Sequence, residues 1–274
     1  MEYWNHIYEH FDPIAFTIFS FPVHWYGMMY VLALISALYV AKSIVKRDKL
    51  PIKQAQLDDY FIYIEVGIIL GARLGYILFY DPNTSYYLTH PWQIFNPFNQ
   101  EGEFVGIRGM SYHGAVIGWF LGSLYYHKRN KEVSFGIIMD VVALAVPIGY
   151  MFGRIGNFLN QELIGRTTDL PWGIYVDGVL RHPSQLYEAI LEGLVVFLVI
   201  YLYRNYKRFN GDLILLYGFV YGLMRFVAEF WRQPDTQLGF LFGGWLTMGQ
   251  SLSAMMMAVA IILWFYFNKK LVKA

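Results

Sequence analysis

Four residues of this 274-residue chain share one narrow helical face: Tyr221, Arg225, Glu229 and Arg232, spaced four, four and three apart. At about 100° per residue such a stripe points in one direction. A guanidinium holds five donors in a fixed plane and suits bidentate capture of a phosphate or carboxylate out of water. Arg225 and Glu229 can also neutralise one another as an i,i+4 pair. A second cluster, GRIGNFLNQELIGR at 153–166, crowds Arg154, Asn157, Asn160, Glu162 and Arg166 into one short polar stretch. Its asparagines can serve a ligand or satisfy backbone groups freed where a helix breaks. His113, in GMSYHGAVIG, brings an imidazole able to accept a proton at neutral pH, or only a hydrogen bond at a helix start. Tyr26, in HWYGMMY, adds a phenol or an interfacial anchor. HPSQLYE, residues 182–188, reads as a helix start in which Pro183 opens the first turn and Ser184 or His182 caps it.

The rest of the chain must hold these groups in a membrane. Apolar residues are 57% of the sequence, charged residues 15% and aromatics 19%, against about 25% charged in soluble domains. Disorder, nucleic-acid binding and an ordinary soluble fold are excluded on that composition. With no cysteine there is no disulfide framework, thiolate metal site or cysteine nucleophile in the chain itself. P-loop, dinucleotide, HExxH and GxSxG patterns are also missing, so neither a cofactor nor a bound metal is expected.

Seven windows are apolar over about the 20 residues a bilayer crossing requires: roughly 20–41, 57–80, 111–127, 134–153, 184–204, 212–231 and 247–267. Lysine and arginine orient them. Of 21 basic residues, 14 lie after the first, third, fifth and seventh windows, every lysine among them. The positive-inside rule places those segments in the cytoplasm, the amino terminus outside and the carboxyl terminus inside. The expected fold is an all-α integral membrane protein of about seven transmembrane helices, a single polytopic domain over 1–274. Residues 1–19 read as an aromatic interfacial arm rather than a cleavable signal, since Glu2, Glu9 and Asp12 stand where a signal would be basic. Segments 81–110 and 154–183, rich in Pro, Gly, Asn and Asp, read as outer-face loops. Glycines recur every four residues as Gly67, Gly71 and Gly75, as Gly114, Gly118 and Gly122, and as Gly218 and Gly222. Such ridges allow close helix packing in lipid.

The seven basic residues left over are all arginine: Arg73, Arg108, Arg154, Arg166, Arg181, Arg225 and Arg232. All fall toward the outer face, where surface solvation would accept lysine equally well. Two readings remain for them: an anionic ligand, or ion pairs with Glu65, Asp140, Glu162, Glu188, Glu192 or Glu229.

The residues from Gly153 to Gly165 match every fixed position of Gly-Arg-x-Gly-Asn-Phe-x-Asn-x-Glu-x-x-Gly, and in this the chain resembles the prolipoprotein diacylglyceryl transferase family. The resemblance extends over HWYG at 24–27, GARLGY at 71–76, SYHG at 111–114, HPSQLYE at 182–188 and RFVAEFWR at 225–232, with Gln161 at a position the family leaves free. It implies an enzyme of the bacterial cytoplasmic membrane with its active site toward the outer face. Its partners would be phosphatidylglycerol, prolipoprotein signal peptides and the bilayer. It would move a diacylglyceryl group from phosphatidylglycerol to the lipobox cysteine thiol and release glycerol 1-phosphate. By motif position, Arg154 and Arg225 would hold the lipid phosphate. Tyr26, His113, Asn157 and Glu162 would belong to the site, Tyr221 and Glu229 would accompany Arg225, and Gly165 would be among the substrate-binding residues. A thiol with pKa ~8.5 needs only a weak base such as neutral His113. The harder task is departure of the phosphate, which two poorly solvated guanidiniums would stabilise, with Glu162 and Glu229 holding them. The competing reading is a transporter or receptor for an anionic amphiphile, binding through the same arginines with no bond changed.

Overall fold

Among the described residues, apolar runs punctuated by capping and turn residues become seven long helical segments. These are α1 (Trp25–Arg47), α2 (Gln54–Phe79), α3 (Tyr112–Arg129), α4 (Phe135–Leu159), α5 (Ser184–Tyr206), α6 (Asp212–Ala228) and α7 (Met248–Val272). The structure, a computed structural model, describes residues 1–19, 21–98, 101–102, 104, 106–107, 109–234, 240–241 and 246–272. Among the described residues five of the seven, α1, α2, α4, α5 and α7, are long and apolar enough to cross a membrane. The other two expected crossings are shorter helices, α3 with 18 residues and α6 with 17. The chain is thus a mostly helical, multi-pass membrane protein. It forms two compact units, Met1–Leu50 with Phe135–Ala274, and Pro51–Ser134.

In the Pro51–Ser134 unit, α2 begins where Gln56 Oε1 reaches back to the Lys53 N–H at 2.8 Å, and α3 where Ser111 Oγ accepts from the Gly114 N–H at 3.1 Å. The two glycine ridges face each other. A Cβ on Gly71 would run into the Gly114 carbonyl and the Gly118 backbone, and one on Gly118 into the Gly67 carbonyl. Main chains therefore meet directly, as small-residue packing in lipid requires. Tyr60 Oη and Ser123 Oγ, 2.9 Å apart, add a buried hydrogen bond between the helices.

In the other unit α1 packs on α4 and α6 on α7. Its buried centre joins Ile44, Ala143, Leu144, Val196, Ile200, Leu213 and Val220. At one end, buried Asp140 accepts from Lys207 Nζ (3.0 Å) and from the Gly211 and Leu213 N–H groups (3.1 and 2.9 Å). Asp140 is therefore a helix anchor paired with Lys207, which removes it from the possible partners of the seven leftover arginines. Asp212 ties α6 to α7 by accepting from Trp264 Nε1 at 2.9 Å.

Three departures from the sequence-based expectation matter for the site. The helix α4 runs on to Leu159, so Arg154 and Asn157 stand on a helix where a loop over 154–183 was expected. The helix α5 is not uniform: a π-helical turn, Ala189–Val195, interrupts it. A hairpin pairs Ile174–Val176 with Val179–Arg181 across Asp177 and Gly178, both at positive φ (51° and 74°). An Asp-Gly dipeptide is the ordinary signal for such a turn, and the helical reading passed over it. A second hairpin, Ile14–Ile18 with Phe21–His24, leads into α1. Ahead of it the arm is held by the 171–173 main chain. Trp4 Nε1 donates to the Trp172 carbonyl at 2.8 Å, and Asn5 Nδ2 to those of Pro171 and Gly173 at 2.8 and 2.6 Å.

Candidate active site

The last turns of α4 carry Tyr150, Arg154 and Asn157 at i, i+4 and i+7, one helix face. Arg154 Nε donates to Tyr150 Oη at 2.7 Å and lies 3.1 Å from Glu188 Oε2. The Tyr150 hydroxyl in turn donates to Glu192 Oε2 at 2.5 Å. Farther along, Asn157 Oδ1 receives Arg154 Nη1 at 3.4 Å while Asn157 Nδ2 donates to Glu162 Oε1 at 2.7 Å. Glu162 thus orders Asn157 rather than pairing with an arginine.

Opposite stands α5. Its first turn presents Gln185 and Glu188, and the π turn brings in Glu192; all three side chains are fully buried. The wider π turn needs room, and Gly193 supplies it, since a Cβ there would strike Met151. Such turns are frequent at functional sites.

The expected four-residue stripe is only half helical: α6 carries Tyr221 and Arg225 but ends at Ala228, so Glu229 is its C-cap and Arg232 lies beyond it, bridged to Gly165. These residues nevertheless complete the cluster. Arg225 Nη1 lies 3.1 Å from Glu188 Oε2 and 3.4 Å from Glu192 Oε1, and its Nη2 lies 2.8 Å from Glu229 Oε2. Arg232 Nη1 reaches the same Glu188 oxygen at 3.6 Å. Tyr221 packs edge-on against Tyr150, ring centres 5.6 Å apart. Gly249 leaves space for the Glu229 carboxylate, which a Cβ would displace.

Three arginines thus face three glutamates, and the formal charge of the cluster is zero. Of the two readings open for the seven arginines left over, ion pairing is realised for Arg154, Arg225 and Arg232, with Glu188 as the shared partner. Charges this poorly solvated persist only when paired and hydrogen-bonded. The pairing still leaves the Nη edge of Arg154 open. Its Nη1 is held only by the long bond to Asn157, and its Nη2 has no partner among the described residues.

Of the remaining arginines, those that are described donate to main-chain carbonyls. Arg166 donates to the Arg232 and Glu229 carbonyls at 2.8 and 3.1 Å, and Arg181 to the Gly165 carbonyl at 3.2 Å. Arg73, in the Pro51–Ser134 unit, binds the Ile94 and Gly109 carbonyls at 2.5 and 3.2 Å. Arg108 lies outside the described residues. Gly165 sits where the 163–167 segment meets Arg232, and a Cβ would collide with the His182 and Trp231 carbonyls, so close approach alone demands glycine.

Tyr26 packs against Gly156 of α4, and its phenol lies within electrostatic reach of both Arg154 and Glu162. His113 belongs to the Pro51–Ser134 unit, where its Nδ1 lies 3.4 Å from Tyr80 Oη. It stands with Ser111 and Tyr80 on the wall of a largely apolar groove of about 1100 Å³ between α2 and α3. Where capping of α5 was expected from Ser184 or His182, the cap position is Pro183, and Ser184 Oγ instead donates to the Leu163 carbonyl at 3.3 Å.

Sequence reasoning missed Tyr150 and Gln185, and held Glu188 and Glu192 only as possible ion-pair partners. A signal for Tyr150 was present: its spacing to Arg154 repeats that of Tyr221 to Arg225, four residues on one face.

A family model described as prolipoprotein diacylglyceryl transferase matches residues 13–266. The chain belongs to this family. Full-length relatives agree with the assignment to the prolipoprotein diacylglyceryl transferases. A protein of Wolinella succinogenes is 62% identical over 267 residues, 97% of each chain. One from Campylobacter curvus is 58% identical over 273 residues, 100% of each, and one from Campylobacter lari 58% over 268 residues, 98% of each. All three are named phosphatidylglycerol–prolipoprotein diacylglyceryl transferase.

Proposed function

We propose that this protein transfers the diacylglyceryl group of phosphatidylglycerol to the thiol of the lipobox cysteine in prolipoproteins. In this reading it crosses the bacterial cytoplasmic membrane seven times, α3 and α6 included, with its amino terminus outside and the arginine cluster toward the outer face. The lysines in the closing turns of α1, α3 and α7 and those that follow α1, α3 and α5 support that orientation. The whole of 1–274 then acts as one membrane domain.

The observation that carries the reading is the convergence of Arg154 and Arg225, from two different helices, on one point. In the reaction the cysteine sulfur attacks the glycerol carbon that bears the phosphate oxygen. A C–S bond forms, the C–O bond breaks, and glycerol 1-phosphate leaves with the electron pair. The phosphodiester carries one negative charge and the departing monoester gains a second. Arg225 and the open Nη edge of Arg154 are the donors suited to that charge, with single preorganised donors worth about 3 kcal/mol. Tyr150, Glu188, Glu192 and Glu229 keep the guanidiniums aimed, so little reorganisation remains at the moment of reaction. The thiol proton passes to the His113 imidazole. Asn157, Glu162, Tyr26, Tyr221 and Gly165 shape the headgroup site.

The test uses purified protein, phosphatidylglycerol vesicles and a lipobox peptide. The expected result is a peptide heavier by one diacylglyceryl group together with released glycerol 1-phosphate. A peptide of unchanged mass, with labelled lipid merely bound or moved, would instead support a transporter or receptor.

A further inference from the structure

Glu188 uses one carboxylate oxygen for three arginines, while its other oxygen, Oε1, is buried with no hydrogen-bond partner. One turn earlier on the same short helix, Gln185 Oε1 is in the same condition. The orientation of that amide is fixed by its other end, because Nε2 donates to the Glu162 carbonyl at 2.5 Å and a flipped amide would set two acceptors against each other. Both side chains are fully buried, so bulk water does not reach these atoms. Buried acceptors of this kind are rare, and each costs about 1–3 kcal/mol while unmatched. They stand at i and i+3, with Cβ atoms about 5–6 Å apart, beside the guanidiniums that would hold a phosphate.

We propose that Gln185 Oε1 and Glu188 Oε1 accept hydrogen bonds from the two hydroxyls of the phosphatidylglycerol headgroup, and so select a glycerol-bearing phospholipid. The inference rests on the reading of the site given above and adds to it the headgroup that the site chooses. The terminal glycerol is a vicinal diol joined directly to the phosphate. With the phosphate on the arginines, its hydroxyls are the nearest donors available to two acceptors one helical turn apart. An ammonium headgroup reaching Glu188 would meet the guanidiniums of Arg154, Arg225 and Arg232 around it. Sites built to bond a substrate hydroxyl reject analogues lacking it, because the buried partner is then left unpaired.

The deciding comparison is between phosphatidylglycerol and phosphatidyl-1-propanol, which keeps the diacylglyceryl group, the phosphodiester and three headgroup carbons but has no hydroxyl. Transfer to the lipobox peptide by the unaltered protein should fall about 100-fold in kcat/KM with the propanol lipid. Gln185→Met should lose about tenfold with phosphatidylglycerol and change little with the propanol lipid, narrowing the ratio between them. Rates within threefold for the two lipids in the unaltered protein overturn the inference and leave the transferase reading intact. Equal losses with both lipids in Gln185→Met make Gln185 a packing residue and overturn its part. Failure of the unaltered protein to modify any peptide from phosphatidylglycerol overturns both readings.

Discussion

Arg154 of α4 and Arg225 of α6 each place a guanidinium nitrogen 3.1 Å from the same atom, Glu188 Oε2 of α5. A buried carboxylate therefore joins three helices and holds two forks toward each other. Lysine in place of either arginine keeps the charge but has one nitrogen. At 225 it cannot serve Glu188, Glu192 and Glu229 together. Arg154→Lys and Arg225→Lys should each lower kcat/KM for diacylglyceryl transfer by about 100-fold or more. A near-normal rate in either would show that a point charge suffices.

Tyr150 is predicted to position Arg154. Tyr150→Phe removes the hydroxyl that accepts from Arg154 Nε and donates to Glu192 Oε2. Losing both bonds should cost about 1–3 kcal/mol of stability and slow turnover about tenfold by loosening the fork. Thermal unfolding in detergent and transfer rates, measured on the same preparation, check both halves.

The facing glycine ridges should tolerate no side chain. Gly118→Leu would drive α2 and α3 apart, because even a Cβ there meets the Gly67 carbonyl. A stability loss of about 3 kcal/mol or more is expected. By contrast, a Cβ at Gly218 meets only the Ala260 methyl at an ordinary 3.5 Å. Gly218→Ala should stay within about 1 kcal/mol of the parent. Unfolding midpoints of the two variants separate close packing from mere helix preference.

His113 is predicted to carry the thiol proton. In His113→Gln the reaction must wait for thiolate formed by the cysteine itself, with pKa ~8.5. The variant should be strongly impaired near neutral pH, and its rate should rise about tenfold per pH unit until that pKa is approached. A profile parallel to the parent's, with undiminished turnover at neutral pH, would remove His113 as the base.

Much of this architecture was legible because it is written locally. Apolar run length exposes the membrane helices, and four-residue glycine spacing exposes the ridges that pair α2 with α3. The polar string from Gly153 to Gly165 and the run from Tyr221 to Arg232 name most of the cluster, although spacing alone did not show that the helix stops at Ala228 and that Arg232 reaches Glu188 from beyond it. The continuation of α4 to Leu159 was hidden because glycine and asparagine, which weaken a free helix, are tolerated where neighbours satisfy the backbone. The π turn in α5 was hidden because its sequence, AILEGLV, reads as ordinary apolar helix.

Amino-acid order by itself determined the membrane class, the family and the arginines, asparagines and glutamates available for chemistry. Only the folded chain decided their use: Arg166 and Arg181 went to main-chain carbonyls, while Arg154, Arg225 and Arg232 went to a glutamate. Periodicity reports which face of a helix a residue occupies, not which face of another helix it meets. Glu188 and Arg225 are 37 positions apart, and their pairing is set by helix packing together with the cost of leaving any buried charge alone.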